Sequence, residues 1–132
     1  MAMSITTNMR NARLDVIAAA IDADVGAGLL RIYDGTRPAS GGTATTLLAE
    51  LTLTDPCAPA AASGVLTFST ITNNAAVAAG TATWARIVTS AGAWCIDMDV
   101  GTSGSDLNLN ATTISIGQDV AVTSATITDP NS

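Results

Sequence analysis

The chain has 132 residues, with no histidine, no lysine, five arginines against eleven carboxylates, and a formal net charge of −6. Without histidine and lysine it lacks the side chains that most often do acid/base work, bind metals or form Schiff bases near neutral pH. The scattered arginines also offer no cationic cluster for phosphates. Composition therefore points away from an enzyme, from a metal or cofactor and from nucleic acid.

Aromatic residues make up 3% of the chain and charged residues 12%, against about 25% charged in ordinary proteins. The expected core is built of small and branched aliphatic side chains. The length suits a single domain over residues 1–132 that needs neither disulfide nor metal. Cys57 and Cys95 show no metal-ligand spacing, and the first residues lack the basic and apolar regions of a secretion signal, so both thiols are expected reduced and structural, with a disulfide between them as the alternative. No stretch approaches the roughly 18–20 apolar residues that cross a bilayer. A soluble product made in the cytoplasm, without a membrane partner, is expected.

Residues 8–22 have helical periodicity. Met9, Ala12, Val16 and Ala19 or Ala20 form one stripe, Leu14, Ile17 and Ile21 an adjoining one, and together they read as a broad apolar face. Thr6, Thr7 or Asn8 can supply the N-cap oxygen, and Gly26 or Gly28 the stop. Arg10 and Arg13 near the start, with Asp22 and Asp24 at the end, oppose the helix dipole at about 0.3–1 kcal/mol per exposed charge. Compensation is expected, from solvent and the rest of the domain or from carboxylates of a partner subunit.

From about 28 to 128 the period becomes two. Residues 28–34 place Leu30 and Ile32 on one face. A turn-rich loop over 35–42 contains Arg37, and 46–54 alternates before Asp55 and Pro56 stop it. Residues 65–71 resume the alternation. The clearest hairpin joins 82–89 to 93–100 across Ser90, Ala91 and Gly92, with Trp84 and Trp94 both expected on the core side and Thr83, Thr89, Asp97 and Asp99 on a wet face. Leu107 and Leu109 alternate with asparagines, and 113–116 and 119–128 read as closing strands. Six to eight short strands after one helix predict a mainly β fold, an antiparallel β-sandwich or jelly-roll-like barrel preceded by one N-terminal α-helix. A surface this poor in charge does little to discourage edge pairing, which favours self-association.

Asp97 and Asp99 share a strand face and with Asp106 could bind calcium or act as an acid pair. Carboxylates on a solvated strand face more commonly serve solubility, and the loop over 101–110 lacks EF-hand spacing. No catalytic, cofactor or metal residue is assigned.

The segments SITTNMRNARLDVIAAAID (4–22), GLLRIYDGTRP (28–38) and TTLLAEL (45–51), with GTATW (80–84), VGTSGSDLNLN (100–110) and the closing Thr/Val strand, resemble a family of small structural proteins of tailed bacteriophages and prophages. The resemblance covers nearly the whole chain and implies a virion component without active residues. Its partners would be the major capsid protein or other virion subunits. Compact shape and the lack of heptads or fibrous repeats favour a capsid cement or decoration protein over a tail, fibre or baseplate part, with contacts through Arg10, Arg13, Arg37 or strand edges. The rival reading is a carbohydrate- or receptor-binding β-sandwich, for which a tryptophan exposed on a concave face would be the sign.

Overall fold

The computed structural model describes residues 3–129. The chain is mainly β, 37% strand and 12% helix, with one N-terminal helix and a curled seven-stranded mixed sheet that forms a half-barrel.

Helix α1 (Thr7–Ile21) starts where the Thr6 hydroxyl accepts the Met9 N–H at 3.2 Å and ends on Asp22, ahead of the glycines expected to stop it. Only one of its two apolar stripes enters the core: Leu14 and Ile21 are buried, with Ile17 and Ala18 packed beside them. Each fully buried Leu or Ile of this kind contributes about 1.5–3 kcal/mol. The other stripe faces solvent, with Met9 55% and Val16 68% exposed and Ala12 and Ala19 exposed between them. The broad apolar face read from the sequence is thus split between core and surface.

The polar residues of α1 fasten it to the segment over 57–64. Asn11 Oδ1 accepts the Gly64 N–H at 2.9 Å, Asp15 Oδ1 the Ala61 N–H at 2.8 Å, and the Asp22 carboxylate the Cys57 N–H at 3.1 and 3.2 Å. Of the two carboxylates that oppose the helix dipole, Asp22 is therefore a backbone acceptor. The two arginines of α1 meet Asp129 at the far end of the chain: Arg13 Nη2 lies 2.5 Å from a carboxylate oxygen and Arg10 Nη1 donates to the backbone carbonyl at 3.2 Å.

The large sheet runs β2 (Leu47–Thr52), β1 (Leu29–Tyr33), β6 (Trp84–Val88), β7 (Trp94–Gly101), β8 (Leu107–Leu109), β11 (Val122–Thr128) and β3 (Val65–Thr67). All its pairings are antiparallel except β7 with β8, which are parallel and meet only through Val100 and Gly101. Two small ribbons, β4 (Asn74–Ala75) with β10 (Asp119–Val120) and β5 (Gly80–Thr81) with β9 (Thr113–Ile114), complete the wall. The core face carries Leu30, Ile32, Ala49, Leu51, Ala85, Ile87, Met98, Leu107 and Leu109.

Both outer edges of this sheet are short or covered. The outward carbonyls of β2 are taken by neighbours: Leu48 by the Val77 N–H at 2.8 Å, Glu50 by Asn74 Nδ2 at 2.9 Å, and Thr52 by the Thr72 N–H at 3.0 Å. At the other edge, Val65 exchanges both backbone bonds with Ala62. Little open edge is left here for a partner strand, contrary to what the low surface charge suggests. Among the described residues, no helix is long and apolar enough to cross a membrane.

Candidate functional site

The outer face of the sheet is where the hairpin departs from the sequence reading. Ala85 pairs with Met98 and Ile87 with Ile96, and these four face the core. Trp84 and Arg86 lie on the opposite face, aligned with Asp99 and Asp97. A register shift between Ile87 and Val88 places Val88 opposite Trp94 and leaves Cys95 as the extra residue of a bulge. Bulges re-aim side chains, and here Trp94 falls out of phase with Ile96 and Met98. The two tryptophans expected in the core thus both leave it, with different outcomes.

Trp84 is buried on the outer face, with 1% exposure, because the loop over 34–46 lies across it. Its ring stacks on Tyr33 at 4.4 Å between centroids, and its Nε1–H reaches the Asp34 carbonyl and Thr45 Oγ1, both at 3.0 Å. The guanidinium of Arg86 sits 5.2 Å from the Trp84 ring centroid, a cation–π distance.

From there a charged row crosses four strands. Glu50 on β2 is opposite Arg31 on β1, Arg31 opposite Arg86 on β6, and Arg86 opposite Asp97 on β7. Two arginines side by side would repel, but each is taken by a carboxylate on its outer side. Arg31 Nε lies 2.8 Å from Glu50, and Arg86 makes two bonds to Asp97, at 2.7 and 3.0 Å, plus a third to the Gly42 carbonyl at 2.9 Å. Hydrogen bonding to Asp97 pushes the Arg86 pKa up further, against desolvation by burial. The Asp97 side chain is 8% exposed, so the face expected to be wet is closed at Asp97 and Thr89 while Thr83 and Asp99 stay exposed, and Asp97 serves as an internal counter-ion.

Trp94 sits at the end of this row. Its Nε1–H donates to Asp97 Oδ1 at 3.1 Å, yet the side chain is 49% exposed, while Tyr33, Phe68 and Trp84 are all buried. Gly41, at φ +70°, packs close against the indole; a Cβ there would stand 2.6 Å from two ring carbons. Only glycine fits this turn, both for its left-handed backbone and for the ring beside it. Trp94, Cys95, Ile96 and Asp97 of β7 and the loop residues Arg37, Pro38, Ala39 and Ser40 line a groove of ≈ 300 Å³. Arg37 reaches Asp99 at 3.8 Å, both well exposed, a loose pair worth little to stability.

Of the residues singled out from the sequence, Arg37 and Asp97 line this groove, and Asp99 is tied to it through its pair with Arg37. Asp106 takes no part in it, and Arg10 and Arg13 lie at the other end of α1 against Asp129. Sequence reading places both tryptophans wrongly, Trp94 because simple alternation carries no sign of the bulge at Cys95 and Trp84 because it lies on the face opposite to Ala85 and Ile87, which is the outer one. A second groove of ≈ 290 Å³ between residues 68–73 and β11 is lined by hydroxyl, amide and apolar side chains and carries no charge. Among the described residues, no three His, Cys, Asp or Glu side chains are grouped to hold a metal ion. No protein-family model, curated protein or solved structure gives a significant match to the chain.

Proposed function

We propose that this chain is a structural subunit of a tailed-phage particle, a cement or decoration protein that clamps neighbouring capsid subunits. The observation that carries the reading is the outer stripe of α1. Met9, Ala12, Val16 and Ala19 repeat at three- and four-residue spacing and all face solvent, while Leu14 and Ile21 on the other side of the same helix are buried.

A helix that is apolar on two sides is suited to being covered on both. Single exposed aliphatics are ordinary, but an aligned row on a helix already tied down by Asn11, Asp15 and Asp22 offers a rigid seam that a partner helix or sheet can cover without ordering it first. Alanines within the row permit close approach. A contact of this size is weak alone and becomes effective when repeated over every site of a symmetric shell. The resemblance of the sequence to small virion proteins points the same way.

The test is to locate the protein in purified particles by mass spectrometry and image reconstruction, and to compare Val16→Glu with the native chain. The reading expects the protein on the head and the variant, folded but absent from particles. Density confined to tail, fibre or baseplate would remove the cement role. Absence from particles altogether would remove the virion role.

A further inference from the structure

We propose that Trp94 and the loop folded against it form a binding site for a neutral pyranose sugar. This site is separate from the α1 seam and does not depend on the cement reading.

The two faces of a pyranose differ from its rim: ring C–H groups make an apolar surface that stacks on an aromatic plane, while hydroxyls at the edge need donors and acceptors together. The groove supplies both. Trp94 is the one aromatic left half-exposed among the described residues, and it is held in place on two sides. Gly41 supports the ring, and Asp97, itself gripped by Arg86, fixes the indole N–H. A platform already rigid loses little entropy when a ligand settles on it.

Arg37 on the lining is a donor, and its partner Asp99, 3.8 Å away, is an acceptor. This is a loose pair whose members are free to turn toward adjacent hydroxyls, one giving and one receiving. Ser40 adds a hydroxyl to the lining. Opposite charges on Arg37 and Asp99 cancel locally, and Asp97 is neutralised by Arg86, so the site favours an uncharged sugar over an anionic one. The groove, at ≈ 300 Å³ and open to solvent, falls at the small end of ligand sites and suits one or two sugar rings.

The experiment follows the two indole N–H signals by NMR, and iodide quenching of tryptophan fluorescence, while the intact chain is titrated with cellotetraose, mannotetraose, chitotriose and galactobiose. At least one sugar is expected to shift the Trp94 signal and protect it from iodide while the buried Trp84 signal stays in place. Trp94→Ala should weaken that binding by about tenfold or more, Trp94→Phe should retain most of it, and Arg37→Ala should weaken it with the fold intact by circular dichroism. The proposal is overturned if none of the four sugars moves Trp94 at millimolar concentration, or if Trp94→Ala binds as the native chain does. It is equally overturned if sugars leave Trp94 untouched while Trp94→Ala abolishes particle incorporation, since Trp94 is then a protein anchor. Loss of incorporation in Val16→Glu with sugar binding unchanged leaves the site standing.

Discussion

Asp97 grips Arg86 with both carboxylate oxygens, 2.7 Å from Nε and 3.0 Å from Nη2, and the nearer oxygen also accepts the indole N–H of Trp94 at 3.1 Å. One buried carboxylate therefore joins the Tyr33–Trp84–Arg86 stack to the exposed tryptophan. Asp97→Ala leaves the guanidinium of Arg86, with only 11% of its side chain exposed, without its counter-ion. Breaking one side of such a pair costs about 3–5 kcal/mol. Chemical denaturation should show a loss of that order, and the Arg86→Leu, Asp97→Leu double variant should lose less than the two single changes combined. The same Asp97→Ala change frees the indole and should raise iodide quenching of Trp94.

Gly41→Ala tests whether the loop holds the tryptophan. The added methyl meets the ring at 2.6 Å and the backbone at φ +70°, so both strain and overlap apply, at about 1–3 kcal/mol for the backbone alone. Gly92→Ala is the control, because Gly92 has φ +91° and open space around its missing Cβ. Gly41→Ala should destabilise more than Gly92→Ala and should alone change Trp94 fluorescence; equal losses with unchanged fluorescence would mean that the loop does not support the ring.

Much of the scaffold was legible because it obeys simple periods. Leu30 and Ile32 alternate onto the core as written, α1 follows its 3.6-residue repeat, and Thr6 supplies one of the expected caps. The candidate site was not legible, for a physical reason. Cys95 is inserted without any glycine or proline to mark it, and the shift it produces decides which way Trp94 points. Trp84 is expected on the core side as well; its register with Asp99 sets it on the outer face, and the return of the 34–46 loop, with no local signature, buries it there. The long-range ties of Asp22 to Cys57 and of Arg13 to Asp129 have no local signature either.

The two stripes of α1 should separate cleanly under mutation. Leu14→Ala opens a cavity in the core, where Leu14 is 2% exposed, and should cost about 2–5 kcal/mol. Val16→Ser, two residues on but facing solvent, should change the stability of the isolated chain by no more than about 0.5 kcal/mol. A large loss for Val16→Ser in the isolated protein would show that the outer stripe already serves the fold, and the docking role would lose its basis.

The two thiols give a pH-dependent readout of the same helix. Cys57 is buried beside Asp22, and burial first, then that carboxylate, push its pKa from 9.0 up to about 12. Cys95 is partly exposed and is also raised, by burial and then by Asp24. Because the folded state holds the Cys57 proton more tightly than the unfolded chain, this thiol's contribution to stability is complete below pH 9. It falls as pH rises from 9 toward about 12. Denaturation midpoints should therefore decline over that window, and less steeply in Cys57→Ala. Alkylation with iodoacetamide at pH 8 should reach Cys95 in the native protein and Cys57 only as the chain unfolds, since the thiolate is the reactive form; rapid native labelling of Cys57 would show that α1 does not stay docked over it.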